Sequence, residues 1–267
     1  MSPLEARSVK GAYPFRIGIT SRCGGDSPLA TFERWRWRVD DFLLHLSDRP
    51  EPLSAAEVES LAALGREALS SFTVQTGAGL RLADSDDERR RAAAAAVVES
   101  VALTRPLAPR CWVLTLDPAP VPGDEEGWRE RAAASVAEIV ARSGVPAGFF
   151  AIENGAYDFA VAAKLLARFG LSACTDVGAL YLHGHDIPGH LVANLFRSRA
   201  VHLHMGRDGE VHVPLTAMPV DHLVGLLSFL FQRHFQSVLT IEVLREEDVE
   251  SSIKALDRAW DRLRQER

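Results

Sequence analysis

Eight short apolar runs alternate with capped or amphipathic stretches along this 267-residue chain, and that alternation restricts its fold more than any other feature. The strand patterns are FRIGIT (15–20), VDDFLLHL (39–46), SFTVQT (71–76), CWVLTL (111–116), GFFAIE (148–153), SACTDV (172–177), AVHLHM (200–205) and SVLTIEV (237–243). The clearest helix patterns run over 54–69, 86–104, 124–143, 157–169, 219–234 and 246–264. TFERWRWR after the first strand is a weak helix pattern, and DIPGHLVANLF after the sixth is a short one. Strict alternation favours parallel strands joined by right-handed crossovers. Eight units in this length predict a single closed (β/α)8 barrel over 1–267. No glycine-rich dinucleotide fingerprint or Walker loop favours an open sheet instead.

Several borders carry their own signals. SAAE (54–57) and DDER (86–89) place a capping side chain ahead of a carboxylate or helix former, satisfying the unpaired N–H groups of a first turn. Gly144 and Gly170 follow helix patterns, where a left-handed C-cap is needed. The alanine-rich RRRAAAAAVVESVAL reads as an outer helix, because Val97, Val98, Val101 and Leu103 supply an apolar face. DPAPVPGDEEG (117–127) reads as a surface loop above the fourth strand.

The last four strand patterns end in Glu153, Asp176, His202 and Glu242. In a parallel barrel the carboxyl ends of neighbouring strands converge on one face. Three carboxylates brought that close are tolerable only around a cation, so these four residues are the candidate metal ligands. An oxygen-rich set with one imidazole suits Mn²⁺, Zn²⁺, Co²⁺ or Mg²⁺ rather than a soft metal. Such a site lowers the pKa of bound water or polarises a substrate oxygen, which predicts an enzyme. His204 shares the inward face with His202 and is an alternative ligand. Candidate substrate contacts are His183 and His185 in YLHGHD, Glu210 and His212 in EVHV, and Arg22 in SRCGG. Asn154 faces away from Glu153 and is expected to fix a loop through backbone hydrogen bonds. Trp35 and Trp37 are readable as stacking or packing residues, while His222 and His234 are assigned to a helix.

Composition narrows the partners. A net charge of −6 argues against non-specific nucleic-acid binding, so a small-molecule substrate is expected and nucleic acid is not. No run approaches ~18 apolar residues, and MSPLEARSVKGAYPF lacks an apolar signal core, which predicts a cytoplasmic protein without a membrane partner. Cys23, Cys111 and Cys174 are too scattered for a CxxC site, and the latter two are expected as buried thiols.

The signatures IEN, TDVG, VHLH and IEV resemble those of xylose-isomerase-like barrels, the group of endonuclease IV, sugar isomerases and epimerases. The order PFRIGITS, VDDFLLHL, SFTVQT, DDERRRAAA, TRPLAPRCWVLTLD, AIENGAYD, CTDVGALYLHGHD, HLH, VHVPL and TIEV resembles the cobamide-remodelling phosphodiesterases. The resemblance covers nearly the whole chain and is more specific in the C-terminal half. It implies metal-dependent hydrolysis of a phosphodiester in a cobamide-type substrate, with His212 and Glu210 assisting, and it favours His202 over His204 as ligand. The chain also departs from these relatives. Gln75 and Thr115 stand where related barrels commonly place histidines, Ala179 replaces the histidine of a D-x-G-H signature, and His45 or Leu46 replaces an acidic strand end. What survives resembles the single-metal Glu–Asp–His–Glu pattern of sugar isomerases and epimerases, in which Glu153 and Glu242 would exchange a proton with a sugar or sugar phosphate. A barrel that binds a corrinoid or sugar without turnover is the third expectation.

Overall fold

The computed structural model describes residues 8–25, 27–47, 52–77, 79–207 and 209–266. Eight strands close into a parallel barrel: β1 (Arg16–Thr20), β2 (Asp41–His45), β3 (Ser71–Gln75), β4 (Trp112–Leu114), β5 (Phe150–Glu153), β6 (Ser172–Asp176), β7 (Ser198–Leu203) and β10 (Val238–Ile241). Closure comes from pairing of β1 with both β2 and β10. Seven of the eight predicted strand runs contain their strand; β7 begins two residues before AVHLHM (200–205) and ends two residues before it does. The expected inward and outward faces are also kept, because alternate residues point to opposite sides of a strand.

Around the barrel lie α1 (Pro28–Trp35), α2 (Ala55–Ala68), α3 (Asp87–Thr104), α4 (Glu125–Ser143), α5 (Ala160–Phe169), α6 (Val177–Leu182), α7 (Ile187–Asn194), α8 (Val220–Gln232) and α9 (Glu246–Gln265). Ser54 and Glu57 form the reciprocal capping box read from SAAE, and Asp86 caps α3 through the N–H groups of Glu88 and Arg89. Gly144 and Gly170 adopt left-handed C-caps, the conformation that a Cβ penalises. Of the stretch 117–127 read as a loop, 117–124 is one and 125–127 is the first turn of α4; Trp128 Nε1 pins the loop by donating to the Pro118 carbonyl (2.8 Å).

Two features go beyond the sequence reading. The stretch VGALYL forms α6 directly off the end of β6, so the β6–β7 crossover holds two short helices instead of one. A small antiparallel hairpin, β8 (Met205–Arg207) and β9 (Glu210–Val213), follows β7. No period-based signal marks it, since its strands are only three and four residues long.

The core has two parts. The larger apolar cluster lies between sheet and helices and includes Phe42, Phe72, Trp112, Phe150, Ile152 and Val201. A small inner cluster, Cys111, Val113, Ala151, Cys174 and Ala200, fills the barrel itself. Its side chains are small, and two of the three cysteines sit there as buried thiols. The next inward layer toward the strand ends is polar, and it forms the candidate site. Among the described residues no helix is long and apolar enough to cross a membrane.

Candidate metal centre

Inward parity on β5, β6, β7 and β10 delivers Glu153, Asp176, His202, His204 and Glu242 to one end of the barrel. Glu153 closes β5, Asp176 closes β6, and Glu242 follows the last residue of β10. His202 lies within β7 and is fully buried. Its Nδ1 sits between two carboxylates, 2.7 Å from Glu153 Oε1 and 3.1 Å from Glu242 Oε2. His204, two residues on and just past β7, points Nε2 at Asp176 Oδ1 (3.0 Å). The four residues read from the sequence therefore do meet. His204 joins them as the imidazole facing Asp176, whereas His202 lies against Glu153 and Glu242.

The backbone is shaped around His204. A Cβ at Gly178 would fall within the His204 ring, so only glycine lets the start of α6 pass there. Asp176 caps α6, taking the Ala179 N–H on Oδ1 (2.9 Å), so the position where a D-x-G-H pattern has histidine supplies a backbone donor here. Asn154 grips Asp176 from β5: its Oδ1 accepts the Asp176 N–H (2.7 Å) and its Nδ2 donates to the Asp176 carbonyl (3.0 Å). That is the loop-fixing role expected of it.

Two side chains from the other half of the barrel reach the same carboxylates. Gln75 Nε2 donates to Glu153 Oε2 (3.1 Å), and His45 Nε2 approaches Glu242 Oε1 (3.2 Å). The sequence alone presents both only as departures from a metal-binding pattern. Cys174 also belongs here, with Sγ 3.9 Å from Glu153 Oε1. Its parity with Asp176 on β6 is the signal that marks it, and CxxC spacing is blind to that signal. Burial pushes the Cys174 thiol up to about 12, so it stays protonated.

The hairpin carries His212 over the cluster. Its backbone is left-handed (φ 59°), an uncommon conformation for a residue with a Cβ. Its N–H lies 3.1 Å from His204 Nδ1, a nitrogen that donates to the Met205 carbonyl (3.2 Å) when the ring is protonated or holds an ion through Nε2. His212 Nδ1 donates to the Glu242 carbonyl (3.1 Å). Nε2 is then the lone-pair nitrogen, with Arg22 Nη1 3.4 Å away. Burial holds His212 below the ordinary histidine range, with Arg22 and His204 adding to the effect against the pull of Glu242. The remaining sequence candidates lie elsewhere. His183 and His185 contact each other beyond α6 (ring centroids 6.1 Å apart), and no described contact links them to the cluster. Glu210 is exposed at the start of the hairpin's second strand, and Trp37 is exposed, while Trp35 is buried packing.

Electrostatics describe crowded charge. Burial raises Glu153, and repulsion from Asp176 and Glu242 adds to it despite the adjacent His202. Burial also works against ionised Asp176 and Glu242, but the neighbouring histidines outweigh it and hold both below the ordinary range. Burial opposes charge on the histidines too, yet the acidic surroundings raise His202 well above its usual value and His204 to about 9. Protons on imidazole thus offset carboxylate repulsion, the task a divalent cation performs in a ligand cluster.

The donor geometry fits such an ion. Three overlapping sets each bring ligand atoms within 4.8 Å of one another: Glu153–Asp176–Glu242, His204–His212–Glu242 and Glu153–Cys174–His202. His45 Nε2, His202 Nδ1 and His204 Nε2 are buried beside carboxylate oxygens without an aligned hydrogen bond. Ligand atoms at ~2.1 Å from one ion sit roughly 3 Å apart and aim lone pairs at its centre rather than protons at each other. The second nitrogen of His212 is held by a backbone carbonyl, as metal-ligating imidazoles generally require.

No protein-family model matches the sequence, and no curated protein matches it either. Solved structures do match in fold. A D-tagatose 3-epimerase-like protein aligns over 94% of this chain and 99% of its own at TM-score 0.76 and 13% identity. Endonuclease IV from Thermus thermophilus aligns over 92% and 99% at TM-score 0.71 and 20% identity. The IOLI protein, solved with a bound zinc atom, aligns over 93% and 98% at TM-score 0.67 and 12% identity. These neighbours, which include epimerases and an endonuclease, share architecture with this chain: the fold is the xylose-isomerase-like (β/α)8 barrel.

Proposed function

We propose that this protein is a divalent-metal-dependent phosphodiesterase-like hydrolase acting on a cobamide-type substrate. Glu153, Asp176, His204 and Glu242 would hold the ion, with His202 behind the two glutamates. When bound, the ion would neutralise phosphoryl charge and lower the pKa of an attached water. The observation that carries the reading is the Arg22–His212 pair beside the carboxylates. A guanidinium there would attract a phosphodiester anion that the acidic cluster alone would repel. Neutral His212, with Nε2 unprotonated, is placed to accept a proton from an attacking water. The order of motifs along the chain supports the cobamide class of substrate.

A sugar isomerase or epimerase is the second reading. It is favoured by Gln75 and Thr115, which leave the ligand set compact enough for one ion. Epimerases recur among the structural neighbours. Glu153 and Glu242 would then exchange a proton with the substrate carbon.

The test is incubation of the metal-supplemented protein with a cobamide under anaerobic conditions, and separately with ketohexoses in D2O. Release of a base-bearing α-riboside product supports hydrolysis. Deuterium incorporation into sugar without cobamide cleavage would replace it with the second reading, and neither activity despite bound metal would reject both.

A further inference from the structure

The opposite face of the barrel carries a second candidate binding site. A cavity of about 680 Å³ opens beside the N-terminal ends of β6, β7 and β10, on the face away from the carboxylate cluster. Its size falls within the range of small-molecule sites, ~300–1,000 Å³. Its origin lies in the short crossover: α7 has eight residues, about 12 Å of helix, against thirteen in α8. So short a helix leaves the lower wall between α7 and α8 uncovered.

The lining is cationic. Arg110, Arg197, Arg199 and Arg233 contribute, together with His234, and among the described residues no aspartate or glutamate lines the cavity. Elsewhere arginines are commonly matched to carboxylates, as in Arg36–Glu67, Arg38–Glu250, Arg131–Asp124 and Arg168–Glu130. Among the described residues, none of the four cavity arginines has an ion-pair partner. Arg110 Nε is buried without a hydrogen-bond acceptor, and the charge of Arg110 acts on the buried Asp41 carboxyl.

The arginines are also positioned. Arg197 lies over the Phe196 ring at 4.6 Å, Arg199 over Phe149 at 4.6 Å and Arg233 over Phe229 at 5.2 Å. Arg199 Nε further donates to Ser172 Oγ (3.2 Å) and its Nη1 to the Arg110 carbonyl (3.3 Å). Stacked guanidiniums keep their outward N–H edges for ligand while losing less freedom on binding. Phe196 remains 78% exposed beside this charge, which gives a planar or apolar ligand part a surface to cover.

We propose that this cavity binds a phosphate-bearing small molecule of nucleotide-like character, independently of the metal centre. Multiple planar donors suit the several oxygens of a phosphate chain, and Phe196 and Phe229 suit an attached ring.

The test is calorimetric titration with ATP, followed by competition with inorganic pyrophosphate, in buffer without added divalent cation. Saturable ATP binding that pyrophosphate displaces is expected. Arg197→Glu and Arg233→Glu should each weaken it roughly ten- to hundredfold, the loss of a charged hydrogen bond. Arg197 is only partly buried and Arg233 is exposed, so thermal melts should show both variants folded. Glu242→Gln, at the other end of the barrel, should leave ATP affinity within about twofold. Absence of saturable binding would overturn the proposal. So would affinity untouched by both charge reversals, loss of binding in Glu242→Gln instead, or a single-stranded oligonucleotide binding more tightly than ATP through the same arginines.

Discussion

The two halves of the barrel mouth are built from opposite chemistry. Strands β5, β6, β7 and β10 bring three carboxylates and two imidazoles inward. Strands β2, β3 and β4 bring His45, Gln75 and, just past β4, Thr115 to the same level. Two of these contact the acidic side directly, His45 at Glu242 and Gln75 at Glu153. In this half Gln75 is a hydrogen-bond partner of the acidic side. A neutral amide orients a carboxylate without competing for the ion, and so confines the charge to one side. Supporting partners of this kind commonly govern ligand orientation in metal sites.

Perturbing each half in turn should separate these roles. The largest effect is expected from Glu242→Gln, which removes the carboxylate shared by two of the three ligand sets. Divalent-ion affinity, read by calorimetry, should fall about a hundredfold or more, beyond the ~10–100-fold typical of supporting groups. The melting temperature of the metal-free protein should fall modestly, because the buried histidines that hold Glu242 ionised lose a charge partner. Next comes Gly178→Ala, whose methyl would displace the His204 ring. It should cost ~1–3 kcal/mol of stability through overpacking. Metal affinity should drop together with stability, and unchanged affinity would remove His204 from the ligand set. From the other half, Gln75→Ala should weaken metal binding by about tenfold, at the low end for a supporting partner. A loss as large as that of Glu242→Gln would erase the distinction between the halves.

A smaller effect is expected behind the acidic half. His190 Nε2 lies 3.4 Å from Thr175 Oγ1, and burial, with help from His185, lowers its pKa to about 4. A histidine kept neutral by folding contributes stability that is full above its unfolded value near 6.5 and is lost as pH falls toward 4. The melting temperature of the wild-type protein should therefore decline more steeply over that window than that of His190→Gln. Equal slopes would remove His190 from the acid response. At the bottom of the scale, Glu210→Gln should change metal affinity by less than about twofold, because the side chain is exposed at the start of the hairpin's second strand.

The barrel was legible because strand and helix periods alternate without interruption, and because Ser54, Asp86, Gly144 and Gly170 mark their borders by local chemistry. Glu153, Asp176, His202 and Glu242 were legible for a related reason: strand parity and strand ends fix where a side chain points. The same rule placed His204 on the inward face but could not order residues by depth. Depth depends on strand stagger, and it decides that His204 meets Asp176 while His202 meets the glutamates. The hairpin that delivers His212 was invisible because strands of three and four residues carry no period. His183 and His185 were placed by loop proximity alone, and α6 carries them away from the cluster. The roles of His45 and Gln75 depend on contacts across the barrel, between residues as far as 197 and 78 positions apart, which no local pattern records.

The central claim is that the acidic half of the mouth binds a divalent cation. Metal analysis of the purified, metal-supplemented protein tests it directly, alongside Glu242→Gln and Asp176→Asn. The account predicts a tightly bound divalent ion in the parent protein and its loss in both variants, with the fold retained. A parent protein that binds none after supplementation, or variants that retain the ion undiminished, would contradict it.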